Sequence, residues 1–130
     1  MDFTGKVVVI TGASSGIGEA LVYAFADRGA KVVMGARNSA KLAEIAAQLF
    51  TRGIESAFEA TDVTREEDCK RLIDKALSAF GRIDILICNA GISMRALFDD
   101  VQLDVLRQLM DVNFWGTVYC AKYALPALQA

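Results

Sequence analysis

Histidine is absent from all 130 residues, which removes imidazole acid–base chemistry and histidine metal ligation from what this chain can do. Cysteine is scarce: Cys69, Cys88 and Cys120 are an odd number with no CxxC spacing. That speaks against a disulfide framework and for reduced, buried thiols in a cytoplasmic protein. With one proline and no low-complexity tract, no linker or boundary is visible, and a single domain over residues 1–130 is expected. Positive charge is not concentrated either. The net charge is −2 with no basic block, which disfavours a nucleic-acid surface or an anchor on an anionic membrane. No apolar run is long enough for a membrane span, and the N-terminal one, behind Asp2, is too short for a signal peptide. What remains is 54% hydrophobic and 23% charged, the balance of a globular chain with a sizeable core.

What is present is an alternation of short apolar runs with amphipathic stretches. Lys6–Thr11 (KVVVIT) is rich in β-branched residues and reads as a buried strand. Gly16–Arg28 reads as a helix with Ala20, Leu21, Ala24 and Phe25 inward. Lys31–Met34 is a second strand, followed by a helix capped by Asn38 or Ser39 and carrying Leu42, Ile45, Ala46 and Leu49. Ser56–Ala60 is a weaker third strand. Thr64 with Glu67 three residues on has the form of a capping box, opening a helix that buries Leu72, Ile73, Ala76, Leu77 and Phe80. Ile83–Cys88 (IDILIC) is the fourth strand. Gly29, Gly53 and Gly81 each precede a strand, where a helix ends in a left-handed residue. Such alternation with short loops predicts an α/β fold, a doubly wound parallel sheet with right-handed crossovers. Periodicity does not set the strand order, so a flavodoxin-like arrangement fits equally well and the loops must identify the domain.

Four strand ends carry small or polar loops. The first is TGASSGIG, Thr11 to Gly18, with Gly12, Gly16 and Gly18 where strand becomes helix. Glycines there permit a tight turn, a close backbone approach and a helix N-terminus aimed at phosphate. Ser14 and Ser15 add hydroxyl donors, and without the lysine of a P-loop a triphosphate site is not expected. A turn that merely packs helix on strand is the plain alternative. The second loop is GARN, Gly35 to Asn38, with no acid at Ala36 and a cation at Arg37. An arginine fork suits a ribose 2′-phosphate, though a solvated surface arginine is the competing reading. Asp62 and Val63 end the third strand. Asp62 can accept from an adenine amino group or start the turn into the next helix. The fourth end, CNAG, places Asn89, Ala90 and Gly91 where small groups can lie against a ribose, tie strands together or form an ordinary turn. All four fall on the carboxyl edge of the expected sheet, where ligands bind in this architecture.

Together these loops resemble the classical short-chain dehydrogenase/reductase family. TGASSGIG, containing Gly12, Ser14, Ser15, Gly16, Ile17 and Gly18, matches the family's TGxxxGxG cofactor loop. Asp62 with Val63 matches its adenine-contacting pair, and CNAG matches its NNAG element with Cys88 in place of the first Asn. MDVNFWGTV, Met110 to Val118, matches the segment that supplies the family's catalytic Asn, here Asn113. The resemblance covers essentially the whole chain. It implies a Rossmann-type sheet, binding of a pyridine dinucleotide and hydride transfer between nicotinamide and a small alcohol or ketone. Arg37 after the second strand implies NADP(H) as the preferred cofactor, with NAD(H) as the alternative.

The resemblance also implies a Ser, and a Tyr and Lys in YxxxK spacing, on elements after the Asn113 helix. Tyr119 and Lys122 are spaced YxxK, position 123 is Tyr123, and the pair lies on the Asn113 helix itself. They are expected to be packing plus one snorkelling amine. The chain is expected to be the N-terminal half of a longer enzyme, truncated after the helix that follows the fourth strand. A non-catalytic dinucleotide-binding module or assembly fragment is the alternative. Val112–Ala130 carries one charge, Lys122. A helix apolar on all sides is buried or partnered, so an exposed apolar patch and a homo-oligomer are expected. Met94, Arg95, Leu97 and Phe98 are read either as substrate contacts or as core.

Overall fold

The computed structural model describes residues 2–130. Four strands, β1 (Val7–Thr11), β2 (Lys31–Ala36), β3 (Ser56–Ala60) and β4 (Ile85–Ile87), form one sheet in the order β3-β2-β1-β4. Every pairing is parallel, with Val9 opposite both Val33 and Leu86, and Met34 opposite Phe58. Between them run α1 (Gly16–Ala26), α2 (Ser39–Thr51) and α3 (Glu66–Phe80). After β4 come a short 3₁₀ turn (Phe98–Asp100), α4 (Leu103–Met110), a π-helical turn (Asp111–Trp115) and α5 (Gly116–Gln129).

The order follows from the crossovers. Stepping from β1 to β2 to β3 in one direction puts α1 and α2 on one face. Returning past β1 to β4 reverses the direction and puts α3 on the other. The two cores show this division. Val8, Ile10, Val32 and Met34 pack with Val22, Leu42, Ile45 and Leu49. Val7, Val9 and Val33 pack with Leu72, Ile73, Ala76 and Ala124 of α5. Successive side chains on a strand point to opposite faces, so β1 is buried throughout, and apolar from Val7 to Ile10, because both faces are covered.

Several details depart from the sequence pattern. The inward row of α1 is Gly18, Val22 and Ala26; Leu21 and Phe25 flank it and Ala20 is exposed. Gly18 causes the rotation: a Cβ there would collide with the Gly12 carbonyl, so α1 lies closest to the sheet along Gly18's own i, i+4 row. The capping box at Thr64 does not form. Thr64 turns its hydroxyl to Asp62, Arg65 occupies the cap position, and the acid that reaches back is Asp68 instead of Glu67. Leu77 is 38% exposed, on the rim of α3. β2 runs on through Gly35 and Ala36, whereas β4 is shorter than expected. Its entry is taken over by Asp84, whose carboxylate accepts the Val7 N–H at 2.9 Å and pairs with Arg82. Gly29, Gly53 and Gly81 have the expected positive φ, 92°, 74° and 75°.

On α5 the buried row is Gly116, Cys120 and Ala124, all small, packed on α3 and the end of β3. Met110, Phe114, Trp115 and Leu125 are exposed, with the Phe114 and Trp115 rings packed edge to face. Tyr119 is half-buried against Val63, Cys69 and Cys120 while Lys122 is exposed, the packing role expected for this pair. Cys69 and Cys120 are buried, Cys88 is half-buried, and all three thiols are free. Among the described residues no helix is long and apolar enough to cross a membrane.

Candidate functional site

The carboxyl ends of the strands open into one cleft of about 490 Å³. The β1 loop contributes Gly12, Ser14 and Ser15, the β2 loop Ala36, Arg37 and Asn38, and the β3 loop Thr61 to Thr64. Ala90 and Gly91 follow β4, and Gln108, Asp111 and Val112 close the far wall.

The first loop is built by contact. Gly12 has φ 65°, and a Cβ on it would stand 2.9 Å from the Ala90 Cα and from the Asn89 amide nitrogen. Asn89 donates to the Gly12 carbonyl at 3.2 Å, and Ala90 N–H donates to the buried Thr11 hydroxyl at 3.0 Å. These bonds hold the ends of β1 and β4 together at the point where the strand order reverses. Gly16 differs: its φ is 56°, yet no heavy atom lies within 4 Å of where a Cβ would point. It opens α1, whose cap residue Ser15 makes no side-chain bond to the helix, and Ile17 beside it is 73% exposed. The first backbone N–H groups of a helix have no partner inside it and carry its positive end. This end therefore suits an anion.

Arg37 stands exposed on the cleft wall. Asn38 caps α2, its side chain accepting the Lys41 N–H at 3.1 Å. Asp62 accepts both the N–H (3.0 Å) and the hydroxyl (2.7 Å) of Thr64 on Oδ1. The Thr64 hydroxyl holds the Asp62 carboxyl below the usual carboxylate range, with Arg37 and Arg65 adding to this at longer range against the opposing effect of burial. The turn-forming reading of Asp62 is thus realised, and Oδ2 is left for another donor.

Gly16, Ile17, Gly18, Asn89 and Asn113 stand beside or behind the cleft instead of lining it. Asn113 lies in the π-helical turn and clamps Ile92, accepting its N–H and donating to its carbonyl, both at 2.8 Å. Its amide oxygen and one amide N–H are engaged by Ile92, and a Cβ on Gly91 would stand 3.2 Å from the Asn113 Oδ1. Leu97 and Phe98 are 71% and 82% exposed, so core packing does not account for them. Thr61, Thr64, Gln108, Asp111 and Val112 also line the cleft without having been singled out. Helical spacing puts Gln108, Asp111 and Val112 on one face, but nothing in the pattern says what that face meets.

A glycine turn beside an open helix end, an exposed cation and an oriented carboxylate suit a ligand that carries an anionic group and a hydrogen-bond donor. The chain is also similar to known proteins. The description "short chain dehydrogenase" fits residues 6–130. The chain is 44% identical to an 11-beta-hydroxysteroid dehydrogenase A of Sesamum indicum, over 98% of this chain and 37% of that protein. An alcohol dehydrogenase of the archaeon Thermococcus sibiricus, solved with 5-hydroxy-NADP, superimposes with a TM-score of 0.93 at 34% identity, over 95% of this chain and 53% of that one. A short chain dehydrogenase/reductase of Burkholderia phymatum, solved with NAD, gives 0.93 at 31% identity, over 98% and 46%. The chain thus spans between about a third and about half of the length of these proteins. With its sheet order, its glycine loop and nearly its whole length matched, this chain belongs to the short chain dehydrogenase family.

Proposed function

We propose that this chain forms the dinucleotide-binding part of an NADP(H)-dependent oxidoreductase acting on a small alcohol or ketone. The observation that supports it most directly is the convergence of Ser14 and the α1 cap residue Ser15, Arg37 and Asp62 on one cleft. Bound there, a pyridine dinucleotide supplies hydride transfer to or from a carbonyl carbon. The chain's own part is to bind and orient. The first-turn N–H groups of α1 take the pyrophosphate over Gly12 and Gly16, with Ser14 and Ser15 as added donors. Arg37 pairs with the 2′-phosphate, and Asp62 with Val63 receives the adenine. Ala90 and Gly91 lie along the ribose, and Asn113 keeps that segment in place through Ile92.

A second reading, binding without turnover, is favoured by the position of Tyr119 and Lys122. Tyr119 is half-buried behind Val63 and Lys122 is exposed on α5, so neither lines the cleft.

Calorimetric titration with NADPH and NADH tests the cofactor assignment. A charge-assisted pair with phosphate contributes about 1–3 kcal/mol, so NADPH should bind about tenfold or more tightly. Ala36→Asp with Arg37→Ala should reverse the order. Equal affinity of the wild type for both dinucleotides at moderate salt would remove the role of Arg37.

A further inference from the structure

Asp68 is the one charged side chain buried among the described residues, 8% exposed in the first turn of α3. A carboxylate is costly to bury unless it is paired and hydrogen-bonded. Here Oδ1 is held by Arg71, with Arg65 at 3.8 Å, and Oδ2 accepts the backbone N–H of Asp62 at 2.9 Å. An acid at this point of a helix ordinarily reaches back to the N–H of the cap residue. Asp68 reaches past Arg65, to the residue at which β3 has ended and the chain turns along the cleft.

The rest of Asp62 is fixed as well. Its carbonyl accepts the Arg65 N–H at 3.0 Å, and its Oδ1 takes both Thr64 donors. With its N–H, carbonyl and Oδ1 all committed, Oδ2 is the remaining acceptor, held at one place on the cleft wall. With its pKa held below the usual carboxylate range, first by Thr64, the carboxyl is ionised at neutral pH and the acceptor is available there.

We infer that Asp68 is a positioning residue for recognition of the base: its carboxylate sets the Asp62 backbone so that Asp62 meets an exocyclic amino group on a purine. This rests on the reading of the cleft as a dinucleotide site. A helix-capping role alone would stabilise α3 without affecting which base is preferred. The inferred role makes base preference depend on Asp68.

The test is to titrate the purified protein with NADPH and with its deaminated analogue, in which hypoxanthine replaces adenine, while following thermal unfolding. The wild type should prefer the adenine form by about tenfold, the worth of one hydrogen bond to a charged acceptor. Asp68→Ala should reduce that ratio to about one, and Asp68→Asn, which keeps an oxygen for the Asp62 N–H, should largely retain it. If Asp68→Ala unfolds below the assay temperature, Asp68→Glu, with its oxygens one methylene further out, should show the same loss. A wild type that binds NADPH and prefers adenine, with variants that keep the full ratio, would overturn the role of Asp68 and leave the cleft assignment intact. A wild type that binds neither dinucleotide, or both equally, would remove the Asp62 contact and this inference with it.

Discussion

At the scale of single residues, the glycines of the first loop divide into two kinds that look alike in the sequence. Gly12 and Gly18 are required by neighbouring protein atoms, since a Cβ on either meets backbone or the Asn89 amide. Gly16 meets nothing within 4 Å, so the space in front of it is free for a ligand. Gly16→Val should accordingly lower NADPH affinity more than tenfold in a calorimetric titration. The positive φ of 56° adds a folding cost of about 1–3 kcal/mol, visible as a lower melting temperature. Unchanged affinity in a folded variant would make this loop purely structural. The sequence marked all three glycines but could not sort them, because Gly12 and Gly18 are crowded by Asn89, some seventy positions away, and Gly18 also by the Gly12 carbonyl, contacts that only the fold creates. The same limit applies to Asp68, which reads as one more acid in an acidic first turn until Asp62 is brought beside it.

At the scale of elements, boundaries are set where a side chain replaces a backbone partner. β4 begins late because Asp84 satisfies the buried Val7 N–H and is itself held by Arg82. Arg82 first, and then the Val7 N–H, hold the Asp84 carboxyl below its ordinary value of 3.8. A carboxyl depressed in the folded state contributes stability that is present above the unfolded value and is lost as pH falls through the folded one. Asp84→Asn should therefore be less stable than wild type by about 1 kcal/mol at pH 7, with the gap closing below about pH 3.8. Urea unfolding at pH 7 and at pH 3 checks this; a gap independent of pH would mean that only shape matters at this position. The four strands, α1 to α3 and the last helix were legible in the hydrophobic spacing, with boundaries moved by a few residues, whereas α4 was not assigned. The inward row of α1 was not, because Gly18, the residue that sets it, carries no hydrophobic signal of its own.

At the scale of the whole molecule, the parallel sheet was legible and its strand order was not. Burial on both faces appears as an unbroken apolar run, whereas adjacency depends on which crossover reverses direction. The reversal between β1 and β4 is what gathers four separate loops into one cleft, and it also decides what the cleft can do. Its ionisable lining side chains are Arg37, Asp62 and Asp111. Arginine does not release its proton at working pH, and the Asp62 carboxyl, held below the usual carboxylate range, carries none there. Neither can act as a proton donor to a substrate oxygen near neutral pH. Asp111, exposed in the π-helical turn, also lines the cleft. A polypeptide of these 130 residues should therefore bind NADPH through the pyrophosphate, 2′-phosphate and adenine contacts without consuming it. Its exposed Phe114, Trp115 and Leu125 should also make it self-associate. Light scattering and NADPH absorbance with a panel of ketones check both expectations on one preparation. A monomeric polypeptide that oxidises NADPH only when a ketone is added would show that some residue in this stretch moves the proton. Tyr119 would then have to leave its packing against Val63, Cys69 and Cys120 to reach the cleft, and Tyr119→Phe would abolish that activity while preserving NADPH binding.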